Sequence, residues 1–316
     1  MTHRTRLAPS PTGALHLGNA RTFLVNWALA RHQGWQIVMR IEDLDGPRVK
    51  HDAAQQAIDL LRWLGIDWDE GPVYQMTDLE PYRMALRKLA ERGLAYPCNC
   101  TRREIEAASR SAPHADEHEL RYPGTCRPAE PRSIAAASIE LEECGWRFRV
   151  PDGPHPFVDQ FLGEQQINVQ QTVGDFQIWT KGGLPSYQLA VVVDDARQGI
   201  DRIVRGNDLV TSTPRQQLLA NALDADYAPQ FWHLPLVRGT DGKRLAKRHG
   251  DTRLVHYREQ GVGAQRIIGL LAEWCGLGPR RTLTAEEFAA GFEIENLSQQ
   301  DVLFHPTDER WLFGES

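Results

Sequence analysis

The sequence predicts an α/β fold, a parallel sheet covered by helices. Three observations carry that prediction. Short apolar segments alternate with longer ones of helical spacing, the pattern of strand–helix–strand units. Two loop motifs, at residues 9–19 and 42–45, come directly after the first two predicted strands, where open α/β sheets bind ligands. Apolar content of 41% with nine Trp can build a sizeable core, yet no apolar run approaches the ~18 residues of a membrane span. A length of 316 residues allows a catalytic domain and a small appendage.

Taken in order, residues 5–8 read as the first strand, and a proline-stiffened loop follows, Pro9-Ser10-Pro11-Thr12-Gly13-Ala14-Leu15-His16-Leu17-Gly18-Asn19. Phe23, Leu24 and Trp27 recur at helical spacing, so a helix is predicted over 19–32, ended by Gly34. His16 then stands at a loop-to-helix junction, where unpaired backbone N–H groups attract phosphate. A second strand is expected at 37–41, and helices at about 50–64 and 80–92, the latter with Thr77 or Asp78 as N-cap and Gly93 as stop. From residue 96 to roughly 131 the pattern changes to Cys, His, Pro and charged residues, which marks an insertion; residues 135–138 give no clear signal. Residues 146–150 and 157–169 read as short strands, and 176–181 leads into a Gly182-Gly183 turn. Residues 200–205 should be the strand that returns to the nucleotide-binding sheet. Thr213-Pro214 predicts a helix start with Pro at the first helical position, where its missing donor matters least. After about residue 252 the pattern is helical, with Ile267, Ile268, Leu270, Leu271 and Trp274 forming a mostly buried stretch.

The basic run Lys243-Arg244-Leu245-Ala246-Lys247-Arg248, introduced by Gly239-Thr240-Asp241-Gly242, makes a second motif; paired with the His16 loop it points to nucleotide activation. Among five Cys, Cys98, Cys100 and Cys126 cluster and can supply three thiolates to a tetrahedral zinc ion, with His114 and His118 as chemically obvious fourth ligands. Cys144 and Cys275 read as core or surface thiols. No apolar signal-peptide core follows Met1-Thr2-His3-Arg4-Thr5-Arg6, so a cytoplasmic protein is expected. A formal charge of −6 is awkward for binding RNA phosphates, and a local basic face is expected from Arg202, Arg205, Lys243, Arg244, Lys247 and Arg248.

The His16 loop and the basic run resemble the H-I-G-H and K-M-S-K-S signatures of the class I aminoacyl-tRNA synthetases. Three further blocks are similar to the glutamyl branch: Arg40-Ile41-Glu42-Asp43-Leu44-Asp45, Ser186-Tyr187-Gln188 running on to Asp194-Asp195, and Ile203-Val204-Arg205-Gly206-Asn207-Asp208-Leu209. The short stretch after Lys247 has no room for a large helical anticodon-binding region, and so resembles the truncated, glutamyl-queuosine branch. The resemblance implies a Rossmann-like catalytic domain split between residues 1–95 and 176–251, a zinc-bearing insertion and acceptor-binding region at 96–175, and a short helical C-terminal region at 252–316. Implied substrates are ATP with Mg²⁺, L-glutamate and tRNA(Asp) containing queuosine, acted on by a monomer.

Glutamate would attack the α-phosphorus of ATP to give an adenylate, and a hydroxyl of the acceptor would then displace AMP. Chemistry of this kind needs positioning and charge stabilisation rather than a protein nucleophile. His16 and Lys247 are the expected catalytic residues, with Pro9, Gly18, Asn19 and Arg244 beside the ATP. A pocket for glutamate needs cations for two carboxylates and an acid for the ammonium group, which suits Arg6, Arg205 and Glu42. Resemblance adds Ala8, Ser10 and Tyr187 to the pocket and Tyr122 as fourth zinc ligand. The chain departs from the signatures at Asn19, Arg244 and Ala246. A minimal enzyme charging the 3′ end of tRNA(Glu), or a catalytically silent glutamate or adenylate sensor, are the competing readings.

Overall fold

A computed structural model describes residues 2–11, 13–44, 52–109, 120–139, 141, 143–243, 245 and 250–315. The first unit is β1 (Arg4–Leu7), α1 (Leu17–Gln33), β2 (Gln36–Ile41), α2 (Ala53–Trp63) and β3 (Glu70–Tyr74), whose strands form a parallel sheet in the order β1-β2-β3. Next come α3 (Glu80–Glu91), β4 (Ala95–Cys98), α4 (Arg102–Ser109) and β5 (Gly145–Phe148). A hairpin of β6 (His155–Asp159) and β7 (Gly163–Ile167) precedes α5 (Val169–Thr172) and β8 (Gln177–Trp179), and β4-β5-β8 make a small antiparallel sheet.

The chain continues through α6 (Tyr187–Arg197), β9 (Arg202–Gly206), α7 (Ser212–Ala222) and β10 (Gln230–Leu234). β9 and β10 run parallel, and β10 runs parallel to β6, giving a second sheet in the order β7-β6-β10-β9. The last elements are β11 (Val237–Gly239), α8 (Leu254–Glu259), α9 (Ala264–Trp274), α10 (Ala285–Gly291), β12 (Val302–Phe304) and α11 (Pro306–Phe313), with β11 and β12 paired in parallel.

The first parallel sheet and the four-stranded sheet meet at β1 and β9. There the Asp201 N–H donates to the Arg4 carbonyl at 3.1 Å, and the Arg4 N–H donates to the Asp201 carboxylate at 2.7 Å. The strand expected to return to the nucleotide sheet therefore does lie beside β1, but its ladder is made with β10, an element the sequence reading did not place. Helix α1 covers this junction. It is buried on most of its circumference, and even Arg21 is buried, donating to the carbonyls of Pro235 at 2.7 Å and Trp274 at 3.3 Å. Gly34 ends the helix in the left-handed region, φ 68°, as its position predicts.

Several local expectations are corrected. Leu79, and neither Thr77 nor Asp78, is the N-cap of α3; Asp78 still accepts the Glu80 N–H at 3.2 Å, while the Thr77 hydroxyl turns back to the Tyr74 carbonyl. The single strand expected at 157–169 is the β6–β7 hairpin followed by α5, because Asp159 accepts the N–H groups of Phe161 and Leu162 and closes a turn at Gly163. Pro214 is the third residue of α7, after the N-cap Thr211. The C-terminal region is helical except for β12, which docks on β11.

Candidate active site

His16 is the N-cap of α1. Its Nδ1 accepts the N–H groups of Gly18 at 3.1 Å and Asn19 at 3.3 Å, and the Asn19 amide oxygen accepts the His16 N–H at 3.3 Å. An imidazole that accepts through Nδ1 carries its proton on Nε2, so His16 offers an N–H donor beside the positive end of a helix dipole. The departure at Asn19 thus has a local function, since its amide closes a capping box. Gly18 is what allows this close turn: a β-carbon there would stand 3.0 Å from His16 Cε1 and 3.1 Å from Nδ1. Gly18→Ala is expected to push the ring from its cap and raise the KM for ATP by about tenfold, on the scale of one lost hydrogen bond to a charged ligand; steady-state kinetics with ATP varied would show it.

The His16 loop meets the segment that follows the basic run. The Leu17 N–H donates to the Thr252 carbonyl at 3.1 Å, the Leu254 N–H donates to the Leu15 carbonyl at 2.9 Å, and His16 and Arg253 form an antiparallel bridge. At the other end of the basic run, the Gly239 N–H donates to the Lys243 carbonyl at 2.9 Å, and β11 lies against α1, with Val237 close to Gly18. Both flanks of the run are therefore anchored beside the His16 turn. Arg244, Ala246, Lys247 and Arg248 themselves lie outside the described residues, as do Asp45, His114 and His118.

The four side chains expected around glutamate come together. Arg6 sits on β1, held by α1: the Asn26 amide donates to the Arg6 carbonyl at 2.9 Å, and the Thr5 hydroxyl donates to Asn26. The loop after β1 is tied to the end of β2 by the Glu42 N–H, which donates to the Pro9 carbonyl at 3.1 Å. Pro9 is buried, Ala8 half-buried and Ser10 exposed. Tyr187, the first residue of α6, is 38% exposed and interacts electrostatically with Arg205, Glu42 and Arg6. Burial raises the Glu42 carboxyl above its usual range, against the opposing pull of Arg40 and Arg6.

Arg205 is buried, and its hydrogen-bond partners among the described residues are all neutral. It donates to His233 Nε2 at 2.9 Å, Gln216 Oε1 at 2.8 Å, Thr213 Oγ1 at 2.8 Å and the Leu209 carbonyl at 3.4 Å. Burial lowers its pKa from the ordinary arginine value, the mark of a cation whose charge is only distantly compensated. Arg6, by contrast, has Asp195 at 3.5 Å.

Sequence reasoning missed the scaffold of this pocket. Arg40 is fully buried, with Asp195 at 2.6 Å, Gln198 at 2.9 Å and Glu42 at 3.2 Å. Asp194 accepts from Gln75 at 2.7 Å and Tyr82 at 2.8 Å. His233, fully buried, has Nδ1 2.6 Å from Asp159. The signal for Arg40 was present: a charged residue within the apolar strand Gln36–Ile41 has to be paired. Asp43 accepts the Met76 N–H at 2.9 Å and so ties the loop after β2 to the segment after β3. The expected basic face loses two members, because Arg205 is buried in the pocket and Arg202 is paired with Asp201 and packed over Trp35.

The insertion brings Cys98, Cys100 and Cys126 together, their sulfurs all within 4.8 Å of one another. The Tyr122 hydroxyl lies 3.4 Å from Cys98 Sγ and 3.9 Å from Cys100 Sγ, and accepts the Cys126 N–H at 2.7 Å. Ligand atoms ~2.0–2.3 Å from a tetrahedral zinc stand roughly 3.5–3.8 Å apart, so three sulfurs and this oxygen fit the ion. Arg147 donates to Cys98 Sγ at 3.2 Å and lies over the Tyr122 ring. Burial opposes ionisation of Cys98, but Tyr122 and Arg147 outweigh it and hold the thiol below its usual value; burial and Cys126 push Cys100 up to about 11.

Residues 2–310 match the model of the catalytic domain of class I tRNA synthetases of the E and Q type. The chain belongs to this family. It is 48% identical over 285 residues to the glutamyl-Q tRNA(Asp) synthetase of Rhodopirellula baltica, covering 87% of this chain and 85% of that protein. It is 38% identical to glutamate–tRNA ligase 1 of Syntrophus aciditrophicus, covering 98% of this chain and 64% of that one. Among solved structures it resembles a glutamate tRNA ligase from Elizabethkingia meningosepticum in complex with its amino acid, with a TM-score of 0.79, 25% identity, and coverage of 99% of this chain and 69% of that one. The segment that follows the basic run shares a backbone bridge with His16, through Arg253.

Proposed function

We propose that this class I synthetase activates L-glutamate with ATP and transfers it to queuosine in tRNA(Asp). The observation that carries the reading is the graded likeness within the family: 48% identity to a glutamyl-Q tRNA(Asp) synthetase against 38% to a glutamate–tRNA ligase. In the first step His16 Nε2–H and the α1 N-terminus bind the ATP phosphates, and the cations Lys247 and Arg244 are assigned to the leaving pyrophosphate, with Mg²⁺ accompanying the nucleotide. Pro9, Gly18 and Asn19 shape the nucleotide side of the turn. Glu42 receives the amino acid's ammonium group, with Ala8, Ser10 and Tyr187 completing that wall. Arg6 and Arg205 share the carboxylates. Arg205, surrounded by neutral acceptors, has the uncompensated charge that the side-chain carboxylate requires, and an uncharged glutamine amide would leave that charge unpaired.

Cys98, Cys100, Tyr122 and Cys126 are assigned to one structural zinc ion, which would cross-link β4 to the segment around residue 126. The purified protein is expected to hold one zinc per chain. Cys126→Ser should lose it, with a lowered melting temperature; full zinc retention in that variant would contradict the assignment. No helix among the described residues is long and apolar enough to cross a membrane, and ATP and tRNA as substrates fit a cytoplasmic location.

Glutamate-dependent exchange of pyrophosphate into ATP tests the first step. Exchange with L-glutamate but not L-glutamine, without any tRNA, is the expected result; no exchange, with tRNA(Asp) or tRNA(Glu) added as well, would leave only the silent-sensor reading.

A further inference from the structure

We infer that Asp159 and His233 form a positioning relay that fixes the direction of the Arg205 guanidinium, and with it the preference of the amino-acid pocket for a carboxylate over an amide. The inference rests on the glutamate reading above and adds two residues to it.

The geometry runs through three side chains. Arg205 Nε–H donates to His233 Nε2 at 2.9 Å, and His233 Nδ1 stands 2.6 Å from Asp159 Oδ2. A neutral imidazole has one donor and one acceptor nitrogen, so it can accept from Arg205 only if its proton is on Nδ1. Asp159 imposes that tautomer, because its oxygen facing the ring can only accept. Its other oxygen is already committed, taking the N–H groups of Phe161 at 3.0 Å, Leu162 at 2.8 Å and His233 at 3.4 Å. The ring is fully buried between β6 and β9, packed near Phe157 and Phe231. Burial and the nearby Arg205 push its pKa down to about 4, although Asp159 opposes this, so the imidazole is neutral in the working range of the enzyme.

The consequence for Arg205 is specific. With Nε held by His233, and the two terminal nitrogens held by Gln216 and Thr213, the guanidinium plane is fixed with no carboxylate of the described residues touching it. Asp159 supplies the compensating charge two groups away, which lets Arg205 stay buried while its own charge remains for the substrate. A carboxylate in direct contact with Arg205 would have competed with the substrate.

Asp159→Asn tests this almost isosterically. The amide oxygen keeps the turn N–H groups, so the amide N–H faces His233 Nδ1, moves the ring proton to Nε2 and sets N–H against N–H at Arg205. The expected result is at least a tenfold rise in KM for glutamate in pyrophosphate exchange, KM for ATP within twofold, and a smaller preference for glutamate over glutamine. His233→Leu should raise the same KM, and His233→Gln, whose amide can donate to Asp159 and accept from Arg205, should recover most of the loss. Nitrogen-15 NMR of histidine-labelled protein reads the tautomer independently, Nδ1–H in the native chain and Nε2–H after Asp159→Asn. An unchanged KM for glutamate in a folded Asp159→Asn enzyme, or a native His233 carrying its proton on Nε2, would overturn the relay. If the native enzyme shows no glutamate-dependent exchange, the glutamate reading fails, and the tautomer measurement still decides whether the relay exists.

Discussion

Arg205→Ala lowers glutamate-dependent pyrophosphate exchange by two to three orders of magnitude while the protein stays folded. That size corresponds to the roughly 3–4 kcal/mol lost when one partner of a desolvated charge pair is removed. The fold survives because the groups left behind, His233, Gln216 and Thr213, are neutral and can bond to water entering the vacated space. Arg205→Lys keeps a charge but loses the fork that reaches four acceptors at once, and recovers only a small part of the activity. Exchange assays with circular dichroism on the same samples check both statements. An unchanged rate for Arg205→Ala would remove Arg205 from the site.

The largest effect on stability is expected at Arg40. Its guanidinium is fully buried, and although burial works against its charge, Asp195, Glu42 and Asp194 hold it firmly protonated. Arg40→Met fills most of the volume but leaves Asp195, itself fully buried, facing only Arg6 at 3.5 Å. Breaking a buried pair from one side costs about 3–5 kcal/mol. The urea midpoint should fall accordingly, and the KM for glutamate should rise because Glu42 loses its nearest cation. Arg40→Met with Asp195→Asn should recover part of the stability by removing the stranded charge. A midpoint within the error of the native protein would show that Asp195 needs no partner there.

How much of this was legible before the structure depends on the kind of signal. Helix α1 is announced by apolar period and by Gly34, and the junction at His16 by the loop before it; both are local properties of the chain. The pocket residues Arg6, Glu42, Tyr187 and Arg205 were legible through family resemblance, since nothing in a lone arginine on a strand tells which face it uses. β3 was missed because Glu-Gly-Pro-Val-Tyr is mostly exposed and has no alternation. β12 was missed because three residues inside a helical region carry too little pattern. Asp159 and His233 were invisible for a different reason. They are 74 residues apart, and the histidine sits in Phe-Trp-His-Leu, which reads as a buried strand; only the parallel pairing of β6, β10 and β9 brings them to Arg205. The expected basic face was overestimated for the same reason, because counting arginines in the sequence does not separate those on the surface from those inside the pocket.

The identity of the acceptor separates this enzyme from a conventional glutamate–tRNA ligase. Labelled glutamate, ATP and Mg²⁺ should be supplied together with tRNA(Asp) that contains queuosine, tRNA(Asp) that lacks it, and tRNA(Glu). Label is expected on the queuosine-containing tRNA(Asp) alone; label on tRNA(Glu) would make the protein a conventional, 3′-end-charging synthetase and overturn the proposed function.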